Sequence, residues 1–184
     1  MLNKPKPKKC KICAELFTPF LTTAKVCSIT CSITYAERTR EDAQAKINRK
    51  AYKDTKEKLK TLTELANEAQ VVFNQWIRNC RDKNEPCISC GTTNKLIQYC
   101  AGHFITVGAS SHLRFNEDNV HRQCNHHCNL MKSGNIILYR EALIKKIGQE
   151  RYDAVVNNRQ IKSWTREELK ELKIKYKMRI KQND

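Results

Sequence analysis

The stretch NVHRQCNHHCNLMKSGN, from Asn119 to Asn135, holds three histidines, two cysteines and four asparagines within seventeen residues. That density of ligand side chains suits neither a solvent loop nor an apolar core element. Its cysteines, Cys124 and Cys128, find matching partners upstream in Cys87 and Cys90, giving C-x2-C-x33-C-x3-C. Paired thiolates at short spacing supply two edges of a tetrahedral zinc shell. His126 or His127 could replace one thiolate, and Cys100 is a spare, but four cysteines make the commonest closed shell. Such a clip pins residues 87–90 to 124–128 and makes the intervening chain a tethered hairpin. Within that hairpin lies CAGHF, Cys100 to Phe104, whose His103 follows two small residues that permit close backbone approach.

A second cysteine set opens the chain. Cys10, Cys13, Cys27 and Cys31 read C-x2-C-x13-C-x3-C inside a basic segment too short to fold on an apolar core alone. With no open coordination position, zinc there is structural, and the set can present Lys8, Lys9, Lys11 and Lys25 to DNA. Residues 36 to about 60 favour helix by propensity yet are polar all round, which reads as a solvated linker or a basic strut along phosphates. Leu65, Ala69, Val72, Phe73, Trp76 and Cys80 then fall on one helical face. Helical periodicity resumes after Asn135 with a stop at Gly148, and Thr165 with Glu168 form a capping box ahead of Leu169, Leu172, Tyr176 and Ile180.

Composition sets the bounds. The chain has 184 residues, a formal charge of +16 and 40% apolar residues, with a mean hydropathy of −0.69. A large apolar core is excluded, and the charge favours a polyanion partner, because neutralising phosphates releases condensed counterions. The basic start lacks the apolar run of a signal peptide, and no stretch approaches the ~20 apolar residues of a membrane span. Ten cysteines in a chain expected in the reducing cytosol point to metal rather than disulfides. The fold class read from these features is a small zinc-stabilised α+β protein. Its parts are an N-terminal finger (1–35), a basic helical linker (36–62), a zinc-stapled core with its preceding helix (63–140) and C-terminal helices (141–184).

The motif C-x2-C … AGH … NVHRQC … CN-x2-KSGN resembles the HNH, or ββα-metal, nucleases. That resemblance implies His103 as general base, Asn119 as the residue that bonds the loop and orients it, and Asn129 as a ligand to a catalytic Mg²⁺ or Mn²⁺. Gly102 stands where many such sites carry an acidic ligand, so His121 becomes the candidate to complete the shell, ahead of Glu117 and Asp118. Arg122 and Lys132 are candidates to meet phosphate oxygens. More narrowly, KPKPKKCKIC, PCISCGTT, AGHF with VGA, LRFNEDNVHRQC, CN before KSGN, and YREALIKKIGQER make the chain similar to the lambdoid-phage NinG (Rap) family. That family implies an endonuclease selective for branched recombination intermediates (Holliday junctions, D-loops) in the bacterial host cytosol. Recombination proteins of phage or host are further candidate partners, and the amphipathic helices could serve dimerisation with a second copy of the chain as easily as intrachain packing. The alternative left open by the residues is a non-catalytic zinc-finger protein that binds branched DNA or structured RNA.

Overall fold

A computed structural model of the chain describes residues 6–183; the first residues of the basic lead, 1–5, and the last, 184, lie outside the described residues. The chain divides into two compact units, Met1–Lys60 and Thr61–Asp184.

In the first unit, two-residue strands β1 (Lys8–Lys9) and β2 (Leu16–Phe17) pair antiparallel. Helix α1, Ile29–Leu59, follows, and none of its residues is buried. It begins earlier than propensity alone indicated, because Ser28 caps it by accepting a hydrogen bond from the Cys31 amide at 3.2 Å. The cap places Cys31 in the first turn and so ties the helix start to the cysteine set.

The second unit is built on helices either side of a short hairpin. Helix α2 (Leu62–Trp76) starts with a reciprocal capping box between Thr61 and Glu64 and ends in a π-helical turn, Ile77–Arg81. Its apolar stripe packs against α5, Arg166–Lys181, whose own capping box joins Thr165 and Glu168. The shared core holds Leu65, Ala69, Phe73, Trp76, Leu169 and Tyr176, joined by Phe115 and Val120. Phe73 meets Tyr176 edge-on at 4.8 Å between ring centroids. The segments separated in sequence as 63–140 and 141–184 therefore bury their apolar faces against each other. Helices α3 (Ile136–Ile147) and α4 (Gln149–Val156) are divided by Gly148, whose φ of 84° favours glycine. They form a smaller core of Phe104, Tyr139 and Leu143. Among the described residues no helix is long and apolar enough to cross a membrane.

Strands β3 (Tyr99–His103) and β4 (Val120–Cys124) pair antiparallel, with Tyr99 opposite Cys124, Gly102 opposite His121 and His103 opposite Val120. Cross-strand partners share a face and neighbours along a strand alternate. One face, carrying Ala101 and Val120, meets the α2–α5 core. The other, carrying Gly102, His121 and Gln123, lies under α3, where Tyr139 Oη donates to the Gly102 carbonyl at 2.8 Å. Buried Asp82 fastens the hairpin. Its carboxylate accepts from Arg81 Nε at 2.8 Å and from the Arg122 amide at 3.0 Å, while Arg81 donates to the Glu117 and Val120 carbonyls at 2.6 Å each. Burial alone would raise the Asp82 pKa, but the Arg81 hydrogen bonds and charge outweigh it and hold the carboxyl below its ordinary value.

Gly102 has a steric reason to be glycine. A Cβ there would overlap Gln123 Oε1 and press on Gln123 Cβ and Cδ at 3.0 Å. Gln123 has no freedom to yield, since its Nε2 donates to Ser89 Oγ at 2.6 Å and to the Gly134 carbonyl at 2.5 Å. Gly102→Ala should therefore cost about 1–3 kcal/mol in urea unfolding, the usual toll of overpacking. Combining it with Gln123→Ala should cost less than the sum by at least about 0.5 kcal/mol. Strictly additive losses would show that the clash is absent.

Candidate functional site

Both cysteine sets converge. The sulfurs of Cys10, Cys13, Cys27 and Cys31 lie within 4.8 Å of one another, as do those of Cys87, Cys90, Cys124 and Cys128. Cys13 and Cys27 are 3.5 Å apart, Cys87 and Cys124 3.7 Å, and Cys90 and Cys124 3.8 Å. A tetrahedron with Zn–S bonds of ~2.3 Å has edges of about 3.8 Å, so both tetrads have the size to hold zinc. His126 and His127 are exposed and outside the second tetrad. Cys100 is outside it too; burial pushes its thiol up to about 11, which makes it an inert thiol at neutral pH. Cys80 packs against the larger core.

The surroundings of the second tetrad contain residues that sequence reasoning did not single out. Cys87 Sγ accepts a hydrogen bond from the Cys124 amide at 3.2 Å, and Cys128 Sγ accepts one from Asn135 Nδ2 at 3.6 Å. Asn135 follows Ser133 and Gly134, and all three have positive φ. The turn this makes lets Asn135 reach back over the sulfur, as the outer partners of metal ligands do. The only sequence signal for it was the short polar run KSGN.

His103 ends β3. Its Nε2 lies 3.1 Å from the Arg114 carbonyl. A carbonyl can only accept, so Nε2 carries the hydrogen and the neutral ring keeps a free lone pair on Nδ1. Burial lowers the His103 pKa from its ordinary value, with a smaller push from the Arg114 charge. Arg114 is itself held from α2, by Gln70 Oε1 at 2.9 Å and Asn67 Oδ1 at 2.8 Å. Asn119 is fully buried. Its side chain accepts from the Ile105 amide at 2.8 Å and donates to the Ile105 and Leu113 carbonyls at 2.9 and 3.2 Å. It clamps the chain just past His103.

The other candidates are placed differently. Asn129 sits half-buried in a π-helical turn, Asn125–Met131, next to buried Cys128. His121 is on the hairpin face opposite His103, buried beneath α3 with Nδ1 3.3 Å from Tyr139 Oη. Burial, with the charges of Arg81, Lys146 and Arg151, takes its pKa down to about 3. Arg122 lies 3.7 Å over the Tyr99 ring and donates to the Asp82 and Lys83 carbonyls, so it is turned to the fold. Lys132 is exposed at the end of the π-helical turn. Glu117 receives Tyr176 Oη and Arg179, and Asp118 is paired with Arg151.

These placements test the site for a hard divalent ion. Mg²⁺ and Mn²⁺ are held through carboxylate oxygens. The carboxylates beside the hairpin, Asp82, Glu117 and Asp118, are each engaged by cations, and His121 feels the charges of Arg81, Lys146 and Arg151 opposed by that of Asp82. Among the described residues, groupings of three or more His, Cys, Asp or Glu occur at the two cysteine tetrads. The nearby carboxylates are thus spent on cations, and of the expected ligands His121 lies on the hairpin face opposite His103 while Asn129 lies beside Cys128.

Two zinc ions per chain are expected by atomic emission on protein purified without chelator. Cys27→Ser and Cys124→Ser should each bring the content to one. Cys100→Ser should leave it at two. A parent value below one would remove zinc from both tetrads.

The comparisons with known proteins agree over nearly the whole chain. Residues 2–184 match the family described as bacteriophage lambda NinG protein. Protein ninG of Escherichia phage lambda is 39% identical over 197 residues, covering 98% of this chain and 95% of the relative. Protein ninG of Escherichia phage 933W is 38% identical over 194 residues, with the same coverage of 98% and 95%. Protein ninG of Salmonella phage P22 is 43% identical over 114 residues, 62% of this chain and 55% of the relative. No solved structure matches. A match spanning the cysteine tetrads, the hairpin and the C-terminal helices alike places the whole chain in one lineage: it belongs to the bacteriophage lambda NinG protein family.

Proposed function

We propose that this chain is an endonuclease of the HNH type that hydrolyses phosphodiester bonds in branched DNA, with His103 as general base. The observation that carries the reading is the tautomer lock on His103. The Arg114 carbonyl takes the Nε2 hydrogen, burial disfavours the imidazolium, and Nδ1 is left as a neutral acceptor. In the step, Nδ1 removes a proton from water as its oxygen bonds to phosphorus. The P–O3′ bond then breaks, and the leaving oxygen takes a proton from solvent. Asn119 and Arg114 act as positioning residues, through the Ile105 loop and the Nε2 hydrogen bond respectively. The charge of +16 supplies non-specific attraction to DNA. The preference for Holliday junctions and D-loops and a role in phage recombination follow from the family resemblance.

A second reading, a non-catalytic zinc protein that binds branched DNA, is favoured by one observation: the acidic side chains beside the hairpin are neutralised by cations. Nicking of a labelled four-way junction separates the two. The parent should cut with Mg²⁺ or Mn²⁺ present, and His103→Ala should lose about 10²–10⁴-fold in rate while shifting the junction on a gel with affinity within about twofold of the parent. A parent that binds under both metals yet never cuts establishes the binder.

The pH profile adds an independent check. A base acts only when deprotonated, and the folded-state pKa of His103 is depressed. The cleavage rate should be level above the ordinary histidine value of about 6.5 and fall on the acid side, with its midpoint below that value. A rate that begins to drop from pH 8 downward would assign the base to another group.

A further inference from the structure

The Met1–Lys60 unit carries chemistry that the His103 site does not use. In the loop after β2, Phe20 is 97% exposed and its neighbour Leu21 62%, while Leu16 in β2 itself is 71% exposed. Large apolar side chains held in water this fully cost hydration without contributing to the core. Cations of the same unit hold this region: Lys8 Nζ donates to the Thr22 carbonyl in the Phe20 loop, and Lys25 lies 5.7 Å over the ring of Tyr35. The same unit has a groove of about 440 Å³ between the cysteine turn and α1, lined by Lys11, Ile12, Tyr35, Arg38, Asp42 and Lys46. One carboxylate faces three cations there. Arg38, Asp42, Lys46 and Arg49 recur at three- and four-residue steps, so the positive edge continues along that side of the helix.

An exposed aromatic and a basic groove in one small unit are the combination that binds single-stranded nucleic acid. Every base offers a π-face for stacking, and the groove follows the backbone charge. Duplex ends and surfaces keep their bases stacked, so a solvent-facing phenyl ring gains most where nucleotides are unpaired. We propose that the N-terminal cysteine unit is a site for unpaired DNA, in which Phe20 stacks on a base while Lys11, Arg38 and Lys46 hold phosphates of the same strand. The proposal is separate from catalysis at His103 and holds or fails without it. Combined with a cutting hairpin elsewhere in the chain, it would bring the enzyme to places where strands have parted.

The test uses the full chain carrying His103→Ala, so that no probe is cut, with two zinc ions per chain confirmed for every variant. Fluorescence anisotropy measures binding to labelled oligo-dT and to a blunt duplex of equal length. Phe20→Ala should weaken oligo-dT binding about 5- to 150-fold, the range seen when a stacking aromatic is removed, and change duplex binding less than about twofold. Arg38→Ala with Lys46→Ala should lower the slope of log affinity against log salt by about 1.4, two phosphates at ~0.7 each on a single strand. Phe20→Ala within twofold of the parent on oligo-dT overturns the proposal, and so does an equal loss on duplex. Tighter binding of oligo-rU than of oligo-dT reassigns the site to RNA. Binding to phosphatidylserine vesicles that Phe20→Ala abolishes, with oligo-dT binding untouched, reassigns it to a membrane surface.

Discussion

The thiolate clip between residues 87–90 and 124–128 is the constraint on which the second unit depends. Two five-residue strands joined by a sixteen-residue connection form at best a marginal hairpin in water. Closing that loop costs entropy that its few ladder hydrogen bonds do not offset. Convergence of Cys87 and Cys90 on Cys124 and Cys128 fixes one end of the pair, and the Cys124 amide bonded to Cys87 sulfur carries the restraint into the strand. At the other end Arg81 and Asp82 hold the start of β4, and Asn119 closes the turn past His103. Each fastening is polar or made by cysteines of a tetrad sized for zinc, as expected of a chain with too few apolar residues for one large core.

Because the hairpin is covered on both faces, neighbouring residues on a strand meet opposite environments. On one face Val120 is buried against α2 and α5, and His103 at the strand end reaches the Arg114 carbonyl. On the other, His121 is sealed beneath Tyr139 among cations. The two histidines belong to one hairpin yet have separate work. His103 keeps a lone pair free, whereas His121 is a neutral core residue whose protonation the surrounding charges oppose. Gly102 is the hinge of this arrangement: with no side chain, it lets Gln123 cross the hairpin and tie it to Ser89 and Gly134.

The first unit is organised on a different principle. Helix α1 buries nothing, so its order comes from propensity, from the Ser28 cap and from the cysteine turn that anchors its first residues. A helix free of core duties can devote all its faces to charge, and apolar side chains such as Phe20 can stand in solvent because no core recruits them. That freedom makes the unit suited to contact a polyanion.

Much of this was legible in the amino-acid order. Cysteine spacing identified both tetrads, since tetrahedral geometry requires thiolates in close pairs. Helical periodicity located α2 and α5, and Thr165 with Glu168 marked where α5 starts. The charge raised the expectation of a polyanion partner, and the family resemblance named His103 and Asn119 as candidates. What the sequence could not decide was orientation. His121 and Arg122 are polar residues close to Cys124, and residue type together with the family resemblance made them candidates for ion and phosphate. Strand register then set His121 beneath α3 and laid Arg122 over Tyr99, since a shift of one residue exchanges the faces of a strand. Likewise Asp82 lies in no motif, and Gln123 and Asn135 lie in NVHRQC and KSGN without a role that spacing could assign; what they do arises from partners up to forty residues away. Local spacing determines which atoms are able to bind a metal or move a proton, but only tertiary packing determines which of them meet water and which are spent on holding the chain together.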